Sequence, residues 1–294
     1  MGRHYKWLLL ALLSFAYFFN QADRVLFGLL TIPIQDELHL TDLQIGFVNT
    51  ALFVTLAFTV PLAGILGDRF NRKWVITGAL LFWSFKTGCR AFFCCPTVVL
   101  NAIGFIAICF ANNAYISWAP KFAAQKFGLT VGAAGNGTML YHHLAAFVAI
   151  LIAGWVTDAM IRRGNPRFRL LLQFTAMFLG APMLVWFGFA PTVAACFAAT
   201  TLYGVFRGLY EANTQASAFD VVRPENRAMV VALADLLAMF IGSLSPLLIG
   251  AMSDRMGLRG FEWGFAIMGG AYAVGALAMG CAALFTFRKD RIDE

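Results

Sequence analysis

Asp23 and Arg24 stand side by side inside an apolar stretch that runs from about Trp7 to Ile34. Arg207 and Glu211 lie four residues apart in another, Thr192 to Val222, and Asp235 sits six residues into a third, Met229 to Ser253. An ionisable side chain is expensive to bury in hydrocarbon. It therefore marks either a pathway for solute or protons, or a pair that neutralises itself and locks two helices together. Both readings stand here. In the sharper one Asp23 carries a proton and the planar guanidinium of Arg24 holds an anionic group. The stretch from Phe92 to Trp118 adds Asn112, Asn113, Tyr115 and Trp118, a polar and aromatic set suited to lining a cavity. The alternative for Tyr115 and Trp118 is an interfacial aromatic belt. Tyr141, His142 and His143 form no metal site, because adjacent residues on a helix point in different directions; core or cavity lining suits them better. No Ser/His/Asp set, Walker loop, metal-binding helix or dinucleotide fingerprint stands out, so neither an enzyme nor a cofactor is expected.

These residues need helices that live in lipid. Of 294 residues, 60% are hydrophobic and 13% charged, with a mean hydropathy of +0.74, against roughly 25% charged in soluble domains. Crossing about 30 Å of hydrocarbon takes about 20 apolar residues, and such stretches recur along the chain. Besides those above they are Ile45 to Leu66, Val131 to Thr157, Leu170 to Ala190 and Phe261 to Phe287. The six cysteines lie in or beside apolar runs with no CxxC spacing, as small buried hydrophobes do. Residues 1–22 mimic a secretory signal, but the apolar run resumes at Val25, which favours a first membrane span. A net charge of +7 could suggest nucleic acid; instead the Lys and Arg cluster between apolar runs, which favours a bilayer as the partner.

A weak apolar piece, Trp74 to Phe85, decides the topology. If it does not cross, there are eight spans, with sixteen Lys and Arg on the amino-terminal face and four on the other. If it joins Lys86 to Cys95 as a ninth span, the count is nine against nine. The positive-inside rule favours eight, with the basic face in the cytoplasm.

Three spans end in Gly-x-x-x-Asp near a basic residue: Gly64 to Asp68 with Arg69, Gly154 to Asp158 with Arg162, and Gly250 to Asp254 with Arg255. The copies begin 90 and 96 residues apart. Four-residue spacing puts Gly and Asp on one helix face, so that a neighbouring backbone can approach at the Gly while the carboxylate serves a helix terminus. Internal repeats of this kind build many transporters.

The run Gly64, Gly67, Asp68, Arg69, Asn71, Arg72 and Lys73 resembles the signature loop after the second helix of the major facilitator superfamily, with Asn71 in place of a usual Gly. The copy from Gly154 through Asp158 to Arg162 resembles the loop after that family's eighth helix. Asn20, Asp23 and Arg24 look like the start of its anion-symporter and Spinster-like branches, and the segment from Asp220 to Ala228 looks like their tenth-to-eleventh loop. The resemblance implies an all-α polytopic membrane bundle working by proton-coupled alternating access on a small organic anion. Asp68, Arg69, Arg72, Asp158 and Arg162 would be cytoplasmic gates; the alternative is a solvated charged loop. Such carriers have twelve helices in about 400 residues. This chain therefore reads as a truncated form with about eight full spans plus one short or broken helix. A partial amino-terminal bundle over 1–95 (helices one, two and part of three) would join a six-helix bundle over 96–294, with helices four to six missing. A non-transporting remnant or scaffold is the competing reading, and a homodimer would replace the missing wall. A plasma (inner) membrane is the expected location.

Overall fold

Prolines, hydroxyl caps and a few glycines cut this apolar chain into antiparallel helices. A computed structural model describes residues 31–32, 34–35, 37–38, 40–67 and 89–291. The helices are α1 (Asp42–Gly67), α2 (Pro96–Phe127), α3 (Val131–Gly135), α4 (Tyr141–Arg162), α5 (Phe168–Phe189), α6 (Val193–Glu211), α7 (Thr214–Phe219), α8 (Arg227–Gly242), α9 (Leu244–Met256), α10 (Leu258–Cys281) and α11 (Phe287–Asp290). A π-helical turn, Asn136–Leu140, joins α3 to α4, and a second, Ala282–Thr286, joins α10 to α11. No strand occurs among the described residues.

Local chemistry sets the ends. Pro96 opens α2, where its missing N–H costs nothing. Gly128, at φ +64°, closes α2 with its N–H on the Ala124 carbonyl. Thr130 and Thr192 cap α3 and α6 through their hydroxyls.

Six stretches among the described residues are long and apolar enough to cross a membrane: Pro96–Phe127, Val131–Arg162, Phe168–Phe189, Val193–Phe219, Arg227–Met256 and Leu258–Asp290. The protein is thus a multi-pass integral membrane protein, and α1 adds a further apolar helix of 26 residues. The expected span from Trp7 to Ile34 lies outside the described residues except at its last turn. The piece from Trp74 to Phe85, on which the count of eight turned, lies wholly outside them.

One boundary departs from expectation. The helix expected to end at Trp118 runs on to Phe127, through Pro120 and past Lys121. Its 32 residues span about 48 Å, so its last turns reach beyond the hydrocarbon, and Lys121 stays in the helix because it finds a carboxylate there.

α2 and α10 form the centre, each with 56% of its apolar window buried, while the α3–α4 stretch lies outermost with 22%. Helix α10 packs on α5 and α2, α4 on α6, and α1 on α8 and α9. Tyr115, Trp118, Phe122, Phe187, Phe261 and Phe265 fill the middle, with Phe187 and Phe265 edge to face at 4.8 Å. Small residues bring α4 and α6 together: a Cβ on Gly204 would lie 2.3 Å from the His142 carbonyl oxygen, and one on Gly208 equally close to that of Ala146. Leu144, Phe147, Leu151 and Trp155 of α4 face outward.

Candidate functional site

Among the described residues two polar constellations interrupt the apolar interior. The first sits deep between α4, α5, α6 and α10. Arg207 follows the close contact of Gly204 with α4, which brings its guanidinium to His142. Nε and Nη2 donate to Glu211 Oε1 at 2.9 and 2.7 Å, and Nη1 lies 3.0 Å from His142 Nε2. Since a guanidinium only donates, Nε2 accepts and the His142 proton sits on Nδ1. Arg207 is 7% exposed, and the Glu211 side chain keeps about a third of its surface open. Tyr203 stacks on the His142 ring at 5.0 Å, and Tyr272 stands 5.6 Å from Tyr203. The Tyr210 hydroxyl, His143 Nε2 and both amide atoms of Gln173 are buried without a partner among the described residues. Buried polar groups rarely stay unpaired. A buried cation with polar side chains beside it is equipped to bind an anion with hydrogen-bonding oxygens.

The second constellation ties α1, α2 and α9 together at one end of the bundle. Asp254, one turn beyond Gly250, accepts the backbone N–H groups of Asp42 at 2.8 Å and Leu43 at 2.6 Å, capping the first turn of α1. Gly250 makes this approach possible, since a Cβ there would lie 2.4 Å from the Asp42 carbonyl oxygen. The Asp42 carboxylate in turn accepts from Lys121, Ser253 and, at 2.6 Å, Gln35. Lys121 also donates to Gln35. The Asp42 and Lys121 side chains are 11% and 7% exposed, so each neutralises the other away from water. Trp118 donates to the Pro246 carbonyl at 2.9 Å and braces α2 against α9. Beside it Lys126 bonds Glu262 and the Gly188 carbonyl, both at 2.7 Å.

At the opposite end Arg169 pairs with Asp220 at 2.6 Å and Asp290 accepts the Thr97 N–H at 2.9 Å. Burial pushes the Asp220 carboxyl above the ordinary carboxylate range, outweighing the pull of Arg169. Burial likewise pushes the Cys95 thiol, just ahead of α2, up to about 11.

Arg207 and Glu211 come together as their spacing implied. Asp235 stands apart in a recess between α2, α7 and α8. Asn112 is half-buried with Oδ1 unpaired, and Asn113 is wedged against α8, its Nδ2 3.1 Å from where a Cβ on Gly242 would stand. Tyr115 is fully buried and donates to the Thr138 carbonyl at 2.6 Å, and Trp118 is equally enclosed, so neither belongs to an interfacial belt. Gly154 has nothing within 4 Å among the described residues; Asp158 and Arg162 are exposed and make no described ion pair. Asp23, Arg24, Asp68, Arg69 and Arg72 lie outside the described residues; Gly64 falls within α1. Sequence reading missed Lys121, Asp42, Gln35, Ser253 and the role of His142. The one available signal was a lysine with no partner nearby in sequence, five residues before the last lysine of its helix.

The sequence matches the profile of the Major Facilitator Superfamily over residues 13–100 and 102–293. The chain belongs to that superfamily. Within it, the segment matching the zebrafish (Danio rerio) sphingosine-1-phosphate transporter SPNS2 is 27% identical over 116 residues, 40% of this chain and 23% of that protein. Protein spinster homolog 1 of Xenopus tropicalis is 34% identical over 68 residues, 23% of this chain and 13% of its own. The uncharacterised transporter YybO of Bacillus subtilis is 34% identical over 89 residues, 30% of this chain and 20% of its own. In fold the chain resembles the crystal structure of a bacterial homolog of the human lysosomal transporter Spinster, inward-facing and unoccupied, with a TM-score of 0.52 and 17% identity over 70% of this chain. That match covers 51% of the solved chain, so this superfamily member aligns with about half of its structural neighbour and less of its curated relatives.

Proposed function

We propose that this chain is a secondary active transporter that moves a small organic anion by proton-coupled alternating access, in a plasma (inner) membrane. The observation that carries the reading is Arg207, a guanidinium buried in a membrane helix, held by Glu211 and His142, with Tyr203 stacked on that histidine and the unpartnered His143 Nε2 next to it in the chain. Membership of a transporter superfamily with Spinster-like matches supports it. In this mechanism an anion displaces part of the Glu211 contact and takes the guanidinium fork. Asp23 carries the proton beside Arg24, and Asn112, Asn113 and Tyr115 shape the space around α2. The Asp42–Lys121–Asp254 group is the door at one end; Asp68, Arg69, Arg72, Asp158 and Arg162 work at the other.

The experiment is uptake into proteoliposomes of a panel of small organic acids under an imposed pH gradient. Saturable uptake stimulated by the gradient is expected, lost in Arg207→Lys because an ammonium cannot reproduce the two-pronged hold, and freed from gradient stimulation in Asp23→Asn. Absence of saturable uptake by the wild-type chain refutes the reading.

The alignment with only about half of the solved neighbour favours a second reading, a membrane scaffold that does not transport. Two copies meeting at the exposed face of α4 would restore a wall and keep the carrier reading. Pairwise cross-linking of Leu151→Cys in membranes tests that arrangement.

A further inference from the structure

The recess between α2, α7 and α8 is a cavity of about 30 Å³, room for one small polar group, and Asn101, Phe105, Thr214, Gln215, Val231 and Asp235 line it. Its polar lining is weighted toward acceptors. Asn101 is 5% exposed; its amide nitrogen is spent on Ser217 at 2.9 Å, which leaves Oδ1 buried and unpaired. Asp235 lies eight residues into α8, about 12 Å along it. It is half-buried and meets no cation or donor among the described residues. The Thr214 hydroxyl turns its proton to the Tyr210 carbonyl, which leaves its lone pairs free. A carboxylate at such depth calls for a positive charge, and the neighbouring described cations are committed: Arg207 to Glu211 and His142, and Arg169 to Asp220.

We infer that this recess is an ammonium subsite, and that the solute is a zwitterion carrying an amine beside its acid group. The inference rests on the anion reading of Arg207. An ammonium offers three donors, which the Asp235 carboxylate, Asn101 Oδ1 and the Thr214 oxygen accept. A hard metal cation collects about six oxygens, more than this largely apolar recess offers. The recess adjoins the Arg207 group, because Thr214 on its wall bonds the carbonyl of Tyr210, the residue before Glu211.

The test is equilibrium binding to the full chain in detergent, read as thermal stabilisation over a concentration series, with 3-aminopropylphosphonate, propylphosphonate and propylamine as probes. The amino acid probe should bind at least tenfold tighter than propylphosphonate, the scale of a charge-assisted hydrogen bond. That margin should vanish in Asp235→Asn, with propylphosphonate unchanged. Asn101→Asp, which adds a second carboxylate, should widen it, so the proposal does not depend on one variant folding. Equal affinity of the two phosphonates, a margin that survives Asp235→Asn, or no probe binding would overturn the subsite. So would an Asp235-dependent response to replacing choline by sodium with no effect of the amine. Propylamine binding through Asp235 while propylphosphonate binds nowhere would support the recess and overturn the anion reading instead.

Discussion

The two described copies of the Gly-x-x-x-Asp repeat should respond in opposite ways to the same one-carbon change. In Gly250→Ala the new Cβ would stand 2.4 Å from the Asp42 carbonyl oxygen and 3.3 Å from Trp118. An ordinary contact needs about 3.4 Å or more, so the start of α1 must retreat by about 1 Å. That retreat lengthens the two bonds from the Asp42 and Leu43 N–H groups to Asp254, now 2.8 and 2.6 Å. Hydrogen bonds to a charged acceptor contribute about 1.5–3 kcal/mol each, and only part of each is lost. Overpacking itself costs about 1–3 kcal/mol, while alanine returns up to about 1 kcal/mol of helix propensity. The net is a destabilisation of about 2–4 kcal/mol. Gly154→Ala meets nothing within 4 Å among the described residues, so it keeps the propensity gain and should be neutral or stabilising by up to about 1 kcal/mol. At about 2–4 °C per kcal/mol, unfolding of the purified protein followed by tryptophan fluorescence should show Gly250→Ala about 4–16 °C below wild type and Gly154→Ala level with it or slightly above. Equal losses in both variants, or an unchanged Gly250→Ala, would refute the claim that the repeat acts here by seating the α1 terminus.

Three further outcomes follow from the same geometry. Lys121→Met leaves the Asp42 carboxylate enclosed without its cation, which should cost about 3–5 kcal/mol. Asp42→Asn combined with Lys121→Met should cost less than the sum of the two single changes by about 0.5–3 kcal/mol, read in a double-mutant cycle of unfolding midpoints. Asp220 has a folded pKa raised by burial; the folded state therefore holds its proton to higher pH than the unfolded chain. Stability from this group is present below the ordinary carboxylate range and is lost as pH rises through the raised value, so the difference between wild type and Asp220→Asn should narrow on acidification across that window. Cys94 is exposed, whereas the Cys95 thiol is pushed up to about 11; a maleimide at neutral pH should label Cys94 readily and Cys95 hardly at all, as peptide mapping would register.

What the sequence disclosed and what it hid divide along the range of the interactions. Apolar stretches bounded by prolines and hydroxyl caps are local features, so the helices from α2 to α10 lie close to where composition placed them. Arg207 and Glu211 are one helical turn apart, so their pairing was legible as well. Lys121 and Asp42 are 79 positions apart, and Arg207 and His142 are 65. Nothing in either neighbourhood announces the other partner, and the expected end of α2 fell short at Trp118, where Pro120 and Lys121 follow the apolar run. Tyr115 and Trp118 misled in the opposite sense. Amphipathic rings near a helix end suit a lipid interface, but here α9 and α10 cover Trp118, and α4, α5, α6 and α10 cover Tyr115.

The repeat carries the deeper point. A glycine four residues ahead of an aspartate creates room and charge on one helix face, and the sequence specifies both. It does not specify what arrives there. At Gly250 the terminus of α1 arrives, and the carboxylate becomes a cap joined to a buried ion pair that holds one end of the bundle shut. At Gly154 no described residue arrives, and Asp158 stays exposed beside the outward face of α4. The same five-residue unit is therefore a fastening in one place and an open edge in another. If transport proceeds by rocking about such contacts, the Asp42–Lys121–Asp254 group must part in each cycle, and its hydrogen bonds are the energy that solute and proton binding at the other constellation have to overcome.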